Sequence, residues 1–353
     1  MIYIIALLIS LLLCHISKKT NSKKIQIFFF ILSTLPLTLL SAFRYKVGTD
    51  YIETYEKSFI YIKYGNEIDG YDLGFTLLNK LILLFTGNPQ WLFVITSIII
   101  SFFIFNAIKR SQNIELSLFL YVATGLYFMG MNQVKQFVGM SICLYALYFY
   151  EKNKIYNSFI LIFIASSFHL ANLIFFIPIL LCKWKSVYKF LAPKNIMLIL
   201  LGVYIFSNLL VNRLFEYILI YSRFYDRYTD SDYTQANFSW AYLIMGLFVL
   251  FLFFYLYKKC IQDNTFILYY MIQIFMLSLV FLSKDIMIAP RLADTYFIVN
   301  IISIPYLYSK IKNKSIKRFT LLGIICVFSA YTYWSIFMLN NHGTLPYHYR
   351  ISF

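Results

Sequence analysis

The chain has 353 residues, of which 61% are hydrophobic and 13% charged, and its mean hydropathy is +0.70. A soluble domain has roughly 45–50% apolar and about 25% charged residues, so a soluble globular enzyme is excluded and a polytopic integral membrane protein is expected. The net charge of +16 is read as loop topology and not as nucleic-acid binding, which requires a basic face presented to solvent.

Taken in order, apolar runs predict transmembrane helices over residues 2–16, 25–43, 90–108, 116–131, 137–150, 155–168, 170–182, 195–211, 239–257, 265–283, 293–308 and 319–338. The fold class is therefore an all-α polytopic helix bundle of about twelve spans (10–13), a single transmembrane domain over 1–353. Because such runs recur to the end, the stretch from Ile2 to Ile16 is expected to be a retained helix and not a cleaved signal. Segment 75–86 carries Lys80 and is too short to span, which predicts a re-entrant or amphipathic interfacial element inside the long external loop 44–89. Segments 155–168 and 170–182 reach only about 21 Å and about 20 Å at the helical rise, short of a hydrocarbon core of about 30 Å. One tilted helix from Ile155 to Leu181 would repair the length but invert every later loop against the charge rule, so two short helices meeting near His169 are expected.

Sidedness follows from the cations, since cytoplasmic loops carry the excess of Lys and Arg. They gather at Lys18 to Lys24, Lys109-Arg110, Lys152 and Lys154, Lys183 to Lys194, Lys258-Lys259 and Lys310 to Arg318, which is every second connection. Those loops hold 19 of the 31 cations and three acids, and the other side holds 12 of each. The net charge thus falls on one face, and both termini are expected outside.

The unusual polar residues collect on the opposite, outer side. The densest stretch runs from Ala42 to Tyr51 and on to Tyr55, with Arg44, Lys46, Asp50, a glycine and three tyrosines where a helix leaves the bilayer. Ionisable groups near membrane depth are costly unless they face water or a partner, so each is a functional candidate with a structural alternative beside it. Arg44 and Lys46 either serve a site or snorkel to headgroups. Asp50 either acts chemically, caps a loop helix or pairs with Arg44; His169 either acts or is hydrogen-bonded into the core. Asn132 and Gln136 suit polar contacts between helices, while Lys135 between them needs an anion. The external loop 212–238 carries Arg223 and Arg227 among five tyrosines, which suits either a solvated surface or stacking on sugar rings. The five cysteines lie in or beside apolar runs and read as small core residues. No Gly-rich phosphate loop, CxxC, HExxH or DxD occurs, so no cofactor and no metal is expected.

These residues occur in an order. Arg44-x3-Gly48-Thr49-Asp50-Tyr51-x3-Tyr55 is followed by Asp72-Leu-Gly-Phe75-x-Leu-Leu, Asn132-x2-Lys135-Gln136, Ala165-x2-Phe168-His169, Arg291 before an apolar run, and Pro346-Tyr347. That order resembles the EpsG family of bacterial polysaccharide biosynthesis proteins, itself similar to the Wzy-type polymerases of O-antigen and capsule assembly, and the likeness spans essentially the whole chain. Two positions depart from the pattern. Lys135 stands where an arginine is expected, keeping the charge without the bidentate fork. Asp72 stands where a glutamate is expected, and no role is assigned to it.

The resemblance implies a multi-pass glycosyltransferase of the bacterial cytoplasmic membrane that polymerises lipid-linked repeat units into exopolysaccharide, capsule or O-antigen. A glycan on undecaprenyl diphosphate would pass to the non-reducing end of a lipid-linked acceptor on the outer face. Arg44, Lys135 and Arg291, with Arg223 or Arg227, are expected to hold the departing diphosphate, because fixed cations stabilise charge at the leaving group without a metal. Tyr51, Asn132 and Gln136 are expected to contact substrate, and His169 or Asp50 to act as base. The partners implied are the undecaprenyl-diphosphate-linked oligosaccharide and the bilayer, with a chain-length regulator and a flippase as candidates and no nucleic acid. The alternatives are a glycan ligase or a polysaccharide O-acyltransferase. A lipid-linked oligosaccharide flippase is disfavoured because the cations gather on one side.

Overall fold

A computed structural model describes residues 1–66, 72–207, 238–286 and 288–351. Among them the chain is all-helical, with one isolated antiparallel bridge between Arg44 and Tyr349. The helices group into two compact units, Met1–Leu173 with Asn300–Phe353, and Ile174–Val299.

In the first unit, α1 (Ile2–Lys19) and α2 (Lys23–Ala42) form a hairpin. Ser17 Oγ donates to the Gln26 carbonyl (2.6 Å) and Gln26 Nε2 to the Thr20 carbonyl (2.7 Å), closing the tight turn. Leu8 and Leu12 on α1, and Phe28, Ile31, Leu35 and Leu39 on α2, remain exposed, the outward apolar stripe of helices that face hydrocarbon. The inner side of α2 packs on α5 (Gln90–Lys109), where Thr38 donates to Ser101 (2.8 Å) and Ser41 bonds Ser97 (2.8 Å). Small hydroxyls of this kind let apolar helices approach closely.

The expected span 116–131 is a bent pair, α6 (Ile114–Ala123) and α7 (Leu126–Asn132), which turn through 53°. The break has a local cause: Gly125 sits at φ +80, a left-handed conformation that ends a helix, and the Tyr331 ring lies where a Cβ would be (3.0 Å). α8 (Val134–Glu151) starts at once, so Lys135 and Gln136, expected in an outer turn, lie instead in its first turn. α9 (Ile155–Phe168) ends where expected, with His169 extended at its C-cap, and Leu170–Phe175 continues as a 3₁₀ segment. α3 (Lys57–Lys63), preceded by a π-helical turn over Tyr51–Glu56, and α4 (Leu73–Leu83) fill loop 44–89. α4 buries Phe75, Asn79 and Ile82 and exposes Leu73, Leu77 and Leu81, so it is short and two-faced.

The second unit holds α10 (Phe176–Leu181), α11 (Pro193–Phe206), α12 (Trp240–Cys260), α13 (Asn264–Leu282) and α14 (Ala289–Phe297). In the α12–α13 hairpin, Gly246 lets Leu277 approach and Gln273 Nε2 donates to the Gly246 carbonyl (2.8 Å). The expected span 293–308 is interrupted at residues 298–299 and resumes as α15 (Asn300–Lys310) in the first unit, followed by α16 (Lys314–Thr332) with a π-helical extension to Met338.

Among the described residues, six helices are long and apolar enough to cross a membrane: α1, α2, α5, α12, α13 and the continuous stretch from Lys314 to Met338. Counting the α6–α7 pair as one span makes seven. The other expected spans are short, interrupted or polar at one end. The multi-pass class therefore stands, on helices whose lengths vary more than their hydropathy indicates.

α8 packs on α9 through Gly139, where an added Cβ would lie 2.0 Å from Asn172 Nδ2 and 2.7 Å from the Ala165 carbonyl. Gly139→Val should cost about 1–3 kcal/mol through forced separation of these helices. It should show as a lower thermal midpoint in lipid nanodiscs, and an unchanged midpoint would contradict this packing.

Candidate functional site

The site grows from the chain leaving α2. Lys46 (φ +54) and Gly48 (φ +104) both take left-handed backbone, which reverses the chain into the π-helical turn that Asp50 opens. At Gly48 the Met131 carbonyl comes within 3.1 Å of where a Cβ would stand. The reversal is pinned by Asn132, whose Oδ1 accepts from Thr49 Oγ1 (2.8 Å) and from the Asp50 amide (3.0 Å).

A second strap comes from the far end of the chain. The Tyr45 amide donates to the His348 carbonyl (2.9 Å), Gly48 to Gly343 (2.9 Å), Thr49 to His342 (3.3 Å), and Arg350 back to Phe43 (3.0 Å). Tyr3 Oη donates to the Thr344 carbonyl (2.9 Å) and Tyr347 Oη to the Leu40 carbonyl (3.0 Å), fastening the tail to α1 and α2. Nothing in the sequence pairs residue 44 with residue 349 except the position of Pro346-Tyr347 in the family-like order.

Arg44 lies beneath this strap and is 1% exposed. Its Nη1 donates to the Ser41 carbonyl, and reaches Ser41 Oγ and Ser97 Oγ at 3.3 Å each, while the guanidinium stands 4.8 Å from the centre of the Phe93 ring. Nε and Nη2 have no hydrogen-bond partner among the described residues. The ionisable groups that act on it include Tyr51, Tyr127, Tyr3 and Tyr55, and the pair with Asp50, one of the alternatives open from the sequence, is not formed among the described residues. Burial pulls its pKa down to about 10, which leaves it a cation at neutral pH.

Phe93 belongs to an aromatic core with Tyr51, Tyr55, Phe59, Phe75 and Val134, against which Phe168 packs. Tyr51 stacks on Phe93 (3.9 Å between centres) and donates to Gln90 Oε1 (2.9 Å); Gln90 Nε2 in turn donates to the carbonyls of Ala42 (2.9 Å) and Arg44 (3.1 Å). Tyr55 Oη accepts from the Lys135 amide (3.4 Å). The Lys135 ammonium meets Asp72 Oδ2 at 3.0 Å, with side chains 23% and 19% exposed. Asp72, given no role above, is the anion that Lys135 needed. Gly74 touches Ser167, where an added Cβ would be 2.4 Å from Oγ, so the start of α4 lies against the end of α9 beside His169. The His169 carbonyl accepts from the Asn172 amide (3.1 Å) and side chain (2.9 Å).

The first unit thus brings together Arg44, Asp50, Tyr51, Asn132, Lys135, Gln136 and the His169 junction around one aromatic core. Within that group Tyr51 and Asn132 use their polar atoms inside the protein, and Gln136 is buried. Arg291 lies in the second unit on α14, its carbonyl accepting from Thr295 Oγ1 (2.9 Å). Arg223 and Arg227 fall outside the described residues. Among the described residues no three His, Cys, Asp or Glu side chains converge as a metal site.

A family model described as the EpsG family matches residues 26–349 of the chain. No curated protein and no solved structure matches it.

Two measurements test this geometry. Exchanging the charges at Lys135 and Asp72 singly should destabilise the protein, and the double exchange should recover about 1 kcal/mol of coupling; additive effects would remove the pair from the account. Burial also pushes the His342 imidazole down to about 4 from an ordinary 6.5. The docked tail then holds its full stability above about pH 6.5 and loses it as the pH falls toward 4, because only the undocked tail takes up the proton. Intrinsic-rate-corrected amide exchange at Gly48 and Thr49 should rise over that window and flatten in His342→Asn; identical profiles would exclude the linkage.

Proposed function

Because the chain belongs to the EpsG family, we propose that it is a membrane glycosyltransferase that polymerises lipid-linked polysaccharide repeat units, working on the outer face of a bacterial cytoplasmic membrane. The donor is a glycan on undecaprenyl diphosphate, and the acceptor is the non-reducing end of a second lipid-linked unit. The topology assigned to it is about twelve spans with both termini outside.

The observation that carries this reading is Arg44: a buried guanidinium that, among the described residues, has no carboxylate paired with it and two N–H-bearing nitrogens without acceptors. An uncompensated buried charge costs several kcal/mol, and a planar guanidinium is matched to phosphate oxygens, so a diphosphate satisfies both needs at once. Lys135 and Asp72 form the more exposed edge of the same group, where an entering anion competes with Asp72 for the ammonium. Arg291, Arg223 and Arg227 are assigned to the diphosphate from the sequence alone, while Tyr51, Asn132 and Gln136 hold the ground on which the glycan is placed.

In the step itself the acceptor hydroxyl oxygen forms a bond to the anomeric carbon as the bond to the diphosphate oxygen breaks. The hydroxyl proton passes to His169 or Asp50, and the released diphosphate keeps the electron pair beside the cations. His169 has the closer claim by chemistry, because a neutral imidazole nitrogen can accept the hydroxyl proton. The half-buried junction it occupies, next to the α4 turn that bears Asp72, supports the choice.

Arg44→Ala and Arg291→Ala should each abolish long polymer in the native host while single repeat units accumulate on the lipid, read by size-resolving gels and mass spectrometry of surface and lipid-linked glycans. Unchanged chain-length ladders from properly inserted variants would overturn the assignment. Loss of acyl groups at unchanged length would transfer the protein to the O-acyltransferase reading, with His169 at its centre.

A further inference from the structure

The tail and the 44–50 reversal enclose an open cavity of about 380 Å³, lined by Tyr45, Lys46, Tyr347, His348 and Tyr349. Arg44 is not among its lining residues, whereas Tyr45 and His348, joined by the bond from the Tyr45 amide to the His348 carbonyl, both are. Three of its five lining residues are tyrosines, none is a carboxylate, and its size is within the range of small-molecule sites.

The walls differ in burial and in chemistry. Tyr347 is fixed by its bond to the Leu40 carbonyl and by edge contact with Tyr3 (5.6 Å). Tyr45 is fixed by edge contact with Tyr51 (6.3 Å). Tyr349 is 65% exposed, with its backbone held in the bridge to Arg44. Two cations bracket the Tyr45 ring, Lys46 Nζ at 5.4 Å and the Arg350 guanidinium at 5.2 Å from its centre. Lys46 makes no ion pair among the described residues. Its φ of +54 is an uncommon conformation for a residue with a side chain, and its ammonium stands over the Tyr45 ring.

We propose that this cavity is a saccharide subsite for an anionic sugar, a uronate or a phosphate-bearing residue of the glycan, with pyranose faces on the tyrosine rings and the acidic group on Lys46. Tyrosine supplies a broad apolar face with a polar end, which suits a ring that is apolar on its C–H face and hydroxylated at its rim. A neutral sugar would leave the ammonium without a counter-charge; an acidic one supplies it. The inference deepens the polymerase reading and rests on it for the source of the sugar. The subsite would grip the chain beyond the unit that reacts at the Arg44 group.

The test is isothermal titration of the full-length protein in lipid nanodiscs with tetragalacturonate and, separately, with uncharged maltotetraose. The expected result is binding of the acidic oligomer that weakens as salt is raised, falls about fivefold in Lys46→Gln, and falls further in Tyr349→Ala but not in Tyr349→Phe. Equal affinity for the two oligomers, or titrations of Lys46→Gln and Tyr349→Ala that match the parent, would overturn it. Binding is read without polymer formation, so the two readings fail separately. Acidic-oligomer binding by a protein whose deletion leaves polymer intact would sink the polymerase and keep the subsite, whereas unaltered variant binding beside polymer loss in Arg44→Ala would do the reverse.

Discussion

A guanidinium buried with no carboxylate paired to it among the described residues is the constraint around which the first unit is arranged. Arg44 has to be approached by oxygen and by aromatic faces, and it is: the Ser41 carbonyl, two serine hydroxyls and the Phe93 ring surround it. Each of those contacts fixes something else. Ser97 and Phe93 belong to α5, so the end of α2 is registered on α5 through the same side chain. The Arg44 backbone bridges to Tyr349, so the tail is registered on both. What is left over is two nitrogens, Nε and Nη2, whose hydrogens meet no acceptor among the described residues.

Around that cation the polar and aromatic residues divide the labour. Gln90 links two backbone carbonyls and one tyrosine hydroxyl, tying the loop that follows α2 to the start of α5. Asn132 does the same for the turn that presents Asp50, which is why an asparagine at the end of α7 matters to a loop more than 80 positions earlier. The Lys135–Asp72 pair joins α8 to the start of α4 at the more exposed edge. Ion pairs with this much exposure contribute about 1 kcal/mol or less, so this one sets α8 against the start of α4 without dominating the stability of the fold.

Much of this could be read from residue order. The apolar runs announced the membrane class, and the break at His169 followed from helices too short to cross a bilayer. The concentration of Arg44, Asp50 and Tyr51 marked the stretch that becomes the reversal. Less legible were the bend at Thr124-Gly125, since one glycine in an apolar run is compatible with a straight helix, and the start of α8 inside a polar turn. Hydropathy reports how apolar a window is, whereas a helix end is decided by backbone angles and by what packs against them.

The sequence by itself determined the all-helical membrane class and the family, because both rest on properties that need no partner: mean apolarity, charge by loop and the spacing of a few residues. Only the tertiary structure decided which of those residues meet. That the tail closes over residues 43–49, that Asp72 neutralises Lys135, and that Tyr51 stacks in the core instead of reaching outward are facts of long-range packing. The physical reason is that an ion pair or hydrogen bond between residues far apart in the chain depends on where intervening helices bend and how closely they approach. Here both are set by single contacts, a left-handed glycine or a serine facing a serine, that composition averages away.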